Sequence, residues 1–481
     1  MVTVDSPTAH NAIGIFGIYD PSTRPQGGTV TYDEVLDYIG ARLHTAESYR
    51  ERLIHVPFGL DRPYWIRDAD FDLEYHIRHL SLPRPGSWRQ LCDQLGRIHS
   101  RPLDLTRPPW EIYIIDGIDA VDDMPEGCFG ILVRVHHAAV DGVAGVEMVT
   151  TMHTFDPAGA APPVPADYSW EPDSVPSADE LLRRAALNGI TRPTGMFKMV
   201  RNVAEQFIER QRENLGPAPA QLPTMLTATR FNQRVSPHRV VGMHGRSIET
   251  LKQIRRAMPE AKINDIGVAV IGGALRAYLE SKDELPDESM IGMMPISVRP
   301  TMAQTASQEI GEVRSADKGG NQFALARIPL ATDTADPWER LGRIAAMTSH
   351  IKQSSGAAPA RALLEMSEEA FGGMLGSVQR TGIRALTSRG RTAVVHTLVS
   401  NVPGPPVPLY FSGAKYVGGL GMGPVMDGMG MNTGIGSIDG RLIWAFTADR
   451  NALPDPEFYE GCLSDAVDEL LEASKHHTTN D

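Results

Sequence analysis

This 481-residue sequence has few cysteines, no basic tract and no long hydrophobic run. Cys92, Cys128 and Cys462 lie far apart without CxxC spacing, which argues against a disulfide framework and a thiolate zinc site and fits a reducing cytosol. No segment reaches the ~18 apolar residues that a membrane span requires, and the start "MVTVDSPTAH" does not have the pattern of a signal peptide. We therefore expect a cytoplasmic protein that touches lipid, if at all, only at its surface.

The net charge argues against some partners. It is −13, from 46 Lys and Arg against 59 Asp and Glu. Binding to nucleic acid requires a clustered basic surface, so no nucleic-acid partner is expected, and attraction to anionic lipid headgroups is also disfavoured. The 42% apolar and 22% charged content is ordinary for a globular enzyme, and the length predicts two domains of roughly 200 residues each.

The chain divides at a segment rich in proline, alanine and acidic residues, "DPAGAAPPVPADYSWEPDSVP". We interpret residues 1–155 as an N-terminal lobe, 156–230 as this linker followed by bridging helices, and 231–481 as a C-terminal lobe. In the last range, "NDIGVAVIGGALRAYLE" predicts a buried helix capped by Asn264 or Asp265. The glycine-rich region from Val417 to Gly440 is expected to form loops and strand ends.

The stretch "ILVRVHHAAVDGVAG" is an apolar run that ends in two histidines. Strand alternation directs His136 and His137 to opposite faces, so the two are unlike a pair of metal ligands. His137 and Asp141 are four residues apart, but no third ligand follows at a recognisable spacing. A purely structural interpretation stays open at this point, with both histidines hydrogen-bonded in a core and Asp141 capping a helix. The chemical alternative is a histidine general base, since its ordinary pKa near 6.5 allows it to accept a proton at neutral pH.

Several motifs together resemble one family. "HHAAVDG" matches the HHxxxDG motif of acyltransferases that resemble chloramphenicol acetyltransferase. With "PLDLTRPPWE", "NDIGVAVIGGALRAYL", "PISVRP", "GGNQFALARIPLATDTADPWERL" and "SNVPGP", the chain resembles the bacterial wax ester synthase/diacylglycerol acyltransferase family over most of its length. Two departures stand out: the family reads PLW where this chain has Pro108-Pro109-Trp110, and its "MHVG"-like stretch appears only as "NAIGIFGIYD".

The resemblance implies a mixed α/β (α+β) fold with two chloramphenicol acetyltransferase-like lobes, joined by the linker with bridging helices. It implies direct transfer of a long-chain acyl group from acyl-CoA to diacylglycerol or a long-chain alcohol. His137 would be the general base, with no acyl-enzyme, no metal and no cofactor other than acyl-CoA as co-substrate. A carrier-protein-dependent acyltransferase of the same fold and a non-catalytic lipid-binding or lipid-droplet protein are the alternatives.

The resemblance also implies roles for other residues of the motifs. Asp141 would have a structural role and pair with Arg299, and Gly142, which follows it, would support the same turn. The alternative is that Arg299 is solvated and Asp141 caps a helix. His136 is expected to pack or to form hydrogen bonds. The helix start at Asn264 and Asp265 could favour a developing oxyanion, although capping alone explains these residues as well. In "SNVPGP", Asn401 is the polar side chain that could contact substrate.

Both substrates implied by the resemblance are hydrophobic. We therefore expect peripheral contact at the inner membrane face or at lipid droplets through an apolar patch, which the sequence alone does not locate. It also leaves the oligomeric state undetermined.

Overall fold

The computed structural model describes residues 5–139, 151–188, 226–297, 323–354, 392–393, 395–402, 404 and 407–478. Three residues expected at the site, Asp141, Gly142 and Arg299, lie outside the described residues, and so does the predicted pairing of Asp141 with Arg299. None of the helices in the described part of the chain is both long and apolar enough to cross a membrane.

Two six-stranded mixed sheets organise the described residues, which confirms the predicted mixed α/β class. The strands, numbered in chain order, are β1 (Ala12–Asp20), β2 (Glu51–Ile54), β3 (Tyr64–Arg67), β4 (Ile77–Ser81), β5 (Trp110–Asp116), β6 (Phe129–His136), β7 (Leu226–Thr227), β8 (Arg239–Ser247), β9 (Ile291–Ser297), β10 (Phe323–Pro329), β11 (Thr392–Ala393), β12 (Thr397–Val402), β13 (Tyr410–Phe411), β14 (Ala414–Met422), β15 (Met431–Ile438) and β16 (Arg441–Asp449). The helices are α1 (Tyr32–Gly40), α2 (Leu73–His76), α3 (Trp88–His99), α4 (Ile248–Ala257), α5 (Ile263–Glu280), α6 (Pro337–Ser354) and α7 (Pro456–Thr478). A further helical segment, 178–188, follows the extended region predicted to be the linker.

The first sheet has the order β13-β14-β1-β6-β5-β4, and only the β4–β5 pair is parallel. The second has the order β10-β9-β12-β15-β16-β8, in which β12 runs parallel to both neighbours. Two short pairs, β2–β3 and β7–β11, stand apart from these sheets. The central strand β6 of the first sheet is buried along all of its eight residues, so its end is fixed on both sides by β1 and β5.

One part of the predicted C-terminal range belongs to the first sheet. Strand β14, which lies within 231–481, pairs with β1 of the N-terminal range. The glycine-rich region from Val417 to Gly440, predicted to form loops and strand ends, lies instead largely within the paired strands β14 and β15. Its glycines explain the pairing with β1, because a Cβ on Gly419 would lie 2.1 Å from the carbonyl oxygen of Phe16. Only a residue without a side chain permits so close an approach. The two sheets therefore do not follow the predicted division of the chain at this strand.

Helix α5 is the buried helix predicted in the second lobe, but its cap differs from the prediction. Its N-cap is Lys262, so Asn264 and Asp265 lie in the first turn. The carboxylate of Asp265 is buried and reaches back to accept a hydrogen bond from the Lys262 N–H at 2.9 Å. Its other oxygen accepts a hydrogen bond from the Thr348 hydroxyl at 2.8 Å, which ties α5 to α6.

Helix α3 of the first lobe packs directly on β8 of the second sheet. A Cβ on Gly96 would lie 2.7 Å from the carbonyl oxygen of Arg239, so the helix and the strand are in backbone contact. The hydroxyl of Ser100, at the end of α3, accepts a hydrogen bond from the Arg239 N–H at 2.9 Å. At the other end of α3, the indole of Trp88 donates to Glu460 of α7 at 3.0 Å.

Two Gly-to-Ala changes in helices should change the free energy of unfolding in opposite directions, because only one of the glycines is at this contact. Gly96→Ala should lower the free energy of unfolding by about 1–3 kcal/mol, because the added methyl overlaps the Arg239 carbonyl. Gly461→Ala, in α7 with nothing near the added methyl, should raise it by roughly 0.5–1 kcal/mol through helix propensity. Urea unfolding followed by circular dichroism measures both. Equal stabilisation by the two changes would show that α3 and β8 do not make this contact.

Candidate active site

Strand β6 ends at the two histidines that the sequence singled out. The predicted alternation extended the strand through His137, whereas the strand ends one residue earlier, at His136. A turn begins there, because the Ala139 N–H donates a hydrogen bond to the His136 carbonyl at 2.9 Å. The N–H of His137 still donates to the Asn11 carbonyl at 2.7 Å, which extends the pairing with the β1 side by one bond. His137 thus stands at the junction between a buried strand and a turn.

Both ring nitrogens of His136 have hydrogen-bond partners. Nδ1 lies 3.1 Å from the Ala138 N–H and can only accept there, so the ring proton sits on Nε2. Nε2 in turn donates to the Asp5 carboxylate at 3.0 Å, and the other Asp5 oxygen accepts from the Asn11 N–H at 3.0 Å. With its ring almost fully buried, His136 holds the turn in place, in line with the prediction that it forms hydrogen bonds.

His137 differs from its neighbour in both exposure and partners. Its ring is half-buried, and Nδ1 is shielded from solvent without a hydrogen-bond partner in another described residue. Burial lowers the pKa of His137, and a hydrogen bond to its own backbone carbonyl opposes this effect in part. A histidine with a lowered pKa is neutral at pH 7 and can accept a proton.

A buried ion pair next to the histidines was not foreseen from the sequence. Arg134 on β6 is fully buried and donates to Glu111 on β5 at 2.9 Å. Glu111 also lies 3.3 Å from Arg78 and accepts a hydrogen bond from the Tyr113 hydroxyl at 2.9 Å. The signal was present in the sequence, since an arginine within an apolar strand requires a buried counter-charge. The matching candidate was the glutamate at the start of "EIYIID".

The stretch that ends in Glu111 supports the end of β6 through its backbone. The Pro109 carbonyl accepts the His136 N–H at 2.8 Å. The Trp110 indole donates to the Tyr49 carbonyl at 2.9 Å, and its ring stacks on His76 with the centroids 4.4 Å apart. Proline in place of the family's leucine leaves this support intact, because the contact uses a carbonyl and proline retains one.

The N-terminal segment that carries Asp5 is itself held by the second lobe. Arg239 of β8 donates through its guanidinium to the Thr8 carbonyl and lies 3.8 Å from the Asp449 carboxylate. His10, in the same segment, has a lowered pKa, chiefly through burial, with Asp5 opposing the effect and Arg239 adding to it. Sequence reasoning missed Asp5 and Arg239, because no periodicity or motif connects residues so far apart in the chain.

The structure brings two other predicted residues together. The Asn401 amide on β12 donates to the Asn264 side chain on α5 at 2.6 Å. Asn401 is exposed and Asn264 partly exposed, so the pair remains open to a ligand. Asp265 beside them is buried with both oxygens engaged, so it acts as a cap and is closed to substrate.

The comparisons with known proteins agree over nearly the whole chain. A model of the wax ester synthase/diacylglycerol acyltransferase catalytic domain matches residues 1–267, and a model of the family's C-terminal domain matches 319–471. The chain belongs to this family. It is therefore an acyltransferase, as its motifs predicted.

Relatives in Mycobacterium tuberculosis agree with this membership. One protein, named as a diacylglycerol O-acyltransferase, is 29% identical over 468 residues, covering 96% of this chain and 95% of the relative. Another, tgs2, which is also named as a diacylglycerol O-acyltransferase, is 26% identical over 465 residues, covering 96% of this chain and 94% of the relative.

Solved structures share the fold. The wax ester synthase/diacylglycerol acyltransferase of Marinobacter aquaeolei VT8 superposes with a TM-score of 0.66 at 22% identity, covering 98% of this chain and 97% of its own. The starter condensation domain of rhizomide synthetase in complex with C8-CoA superposes with a TM-score of 0.50 at 13% identity, covering 98% and 90%. These likenesses confirm the predicted two-lobe, chloramphenicol acetyltransferase-like architecture.

The lowered pKa of His137 predicts the acid limb of the pH–rate profile. If neutral His137 is the base, kcat/KM should persist below pH 6.5 and fall only as the pH drops through the lowered pKa of the free enzyme. The measurement is thiol release across the acid range, with the folded fraction checked at each pH. An acid limb centred at or above the ordinary pKa of histidine would contradict the assignment.

Proposed function

We propose that this chain transfers a long-chain acyl group from acyl-CoA to the hydroxyl of diacylglycerol or of a long-chain alcohol, forming triacylglycerol or wax ester. The proposal follows the family to which the chain belongs and the names of its relatives. The observation that carries it is the position of His137, which is half-buried, neutral at pH 7 through its lowered pKa, and fixed at the end of a buried strand.

In the proposed reaction, Nε2 of His137 takes the proton from the acceptor hydroxyl while the hydroxyl oxygen attacks the thioester carbon of acyl-CoA. The carbon–sulfur bond then breaks, and the imidazolium returns its proton to the departing thiolate. A thiol pKa near 8.5 makes this sulfur a good leaving group, so no acyl-enzyme is needed. The transfer requires no cofactor beyond acyl-CoA.

The other parts of the site have supporting roles in this proposal. The Asn264–Asn401 pair, exposed at the second lobe, can contact substrate, whereas His136 and Asp5 fix the turn that carries His137. Because the acceptor resides in lipid, we place the reaction at a cytoplasmic lipid surface that the chain contacts peripherally.

Acceptor dependence tests the proposed reaction. The purified chain with palmitoyl-CoA should release free thiol when diacylglycerol or hexadecanol is supplied in mixed micelles, and the matching ester should accumulate. An acyl-carrier protein in place of acyl-CoA distinguishes the carrier-dependent alternative. Equal thiol release without any acceptor would indicate a thioesterase, and no turnover with any donor would favour a non-catalytic lipid-binding protein.

The two histidines should differ sharply in the same assay. His137→Ala removes the base and should lower kcat by about 10² to 10⁴, while the protein stays folded and still binds acyl-CoA. His136→Ala should retain much more activity, because that ring only supports the turn.

Asp5→Asn provides the matched comparison. Because Asp5 and His136 are the two ends of one hydrogen bond, the double variant should lose less activity than the sum of the single losses. A His136→Ala variant as inactive as His137→Ala at equal folded fraction would overturn the assignment of His137 as the base.

A further inference from the structure

The β2–β3 hairpin presents an unusual apolar tip. The two strands form a sheet of their own, and the connection between them contains a 3₁₀ turn at Pro57–Gly59. Phe58 at this turn is 91% exposed, and Leu60 is 61% exposed. Two strongly exposed apolar side chains therefore lie within three residues of each other at the turn of the hairpin.

The backbone at Phe58 is strained as well. Its φ is 58° and its ψ is 11°, a left-handed conformation that ordinarily selects glycine or asparagine. An aromatic side chain in water is also unfavourable. Folding alone favours a small or polar residue at such a position on both counts, so a strained, exposed phenylalanine indicates a functional constraint.

The base of the hairpin holds the tip outward. Val56 packs against Leu181 and Ala185 of the helical segment 178–188. Asp61 is buried, and its carboxylate accepts hydrogen bonds from the Arg62 N–H at 2.6 Å and the Tyr64 hydroxyl at 3.1 Å. The tip therefore rests on an ordered base.

The exposed side chains of the tip have the composition of a lipid-interface anchor. Besides Phe58 and Leu60 they include Arg62 and Trp65, whereas Asp61, the tip's carboxylate, is turned inward. Phenylalanine and leucine insert among acyl chains, and tryptophan and arginine settle at the headgroup level. In a chain of net charge −13, a tip without an exposed carboxylate can approach phosphate headgroups.

The small size of the tip distinguishes lipid from protein as the partner. A stable protein interface buries about 800 Å² on each side, from some 20 residues. Two or three protruding side chains cannot supply this area, but they are sufficient for shallow insertion into lipid.

We propose that the tip of the β2–β3 hairpin meets the phospholipid surface that contains the acceptor. Phe58 and Leu60 insert there, with Arg62 and Trp65 at the headgroup level. The choice of lipid rests on the proposed function, whose acceptor is a lipid alcohol. The tip is a docking surface and has no part in the chemistry.

Flotation of the full chain with phosphatidylcholine vesicles containing diacylglycerol tests the proposal without requiring turnover. Phe58→Gly combined with Leu60→Ser should weaken partition by about tenfold or more, because two apolar side chains no longer insert. Val164→Ser with Val175→Ser is the matched control, since each of these valines is 60% exposed elsewhere, and it should bind as the parent chain does.

Thermal unfolding separates docking from a structural role. Because glycine adopts the left-handed conformation without strain, Phe58→Gly alone should leave the melting temperature unchanged or raise it. Phe58→Trp should retain binding, and its added emission should shift to the blue when vesicles are present. A lower melting temperature for Phe58→Gly together with an unshifted Phe58→Trp would overturn the proposal.

Two outcomes of the flotation experiment would also overturn the proposal. If the parent chain does not float, or if the Phe58→Gly/Leu60→Ser variant floats equally well, the tip is not the lipid-contacting surface. Turnover with hexadecanol in mixed micelles is measured in parallel, so a failure of the proposed reaction is distinguishable from a failure of docking. The hairpin variant should keep its kcat in micelles.

Discussion

The candidate site depends on how the chain ends one buried strand. Strand β6 must leave the sheet immediately after His136, and the turn that follows would be loose without partners for its polar groups. Both partners come from the N-terminal segment ahead of β1: the Asp5 carboxylate fixes the His136 ring, and the Asn11 carbonyl holds the His137 N–H. Two hydrogen bonds thus connect the N-terminal segment to the turn, and only the one from His136 uses a histidine ring.

The two lobes cannot be treated as independent supports for this turn. The N-terminal segment with Asp5 is anchored by Arg239 from the second sheet, and β14 from the C-terminal half completes the first sheet beside β1. Backbone contact between α3 and β8 adds a third connection. The geometry around His137 therefore requires both halves of the chain to be folded together.

The elements that could be predicted from the sequence were those with local signals. The apolar run before the histidines predicted β6, and the apolar helix α5 was recognisable from its composition. The cap of α5 was misplaced by two or three residues, because lysine, unlike asparagine or aspartate, is not a residue that favours the N-cap position. The hydrogen bond between Asp5 and His136 joins residues 131 positions apart, and no local pattern encodes it. The pairing of β14 with β1 depends equally on a distant contact, for which Gly419 was only an ambiguous sign.

The "RPPWE" stretch shows why a family marker can lie outside the reacting groups. Its Pro109 carbonyl receives the His136 N–H, and its Glu111 neutralises the buried Arg134 of the same strand. Its Trp110 indole reaches the Tyr49 carbonyl, two residues before β2 begins. The segment that leads into the hairpin proposed to meet lipid is thereby hydrogen-bonded to β5, the strand that neighbours β6. These contacts connect the approach to β2 with the strand beside the histidine turn, so the hairpin proposed to meet lipid and the turn belong to one hydrogen-bonded part of the first lobe.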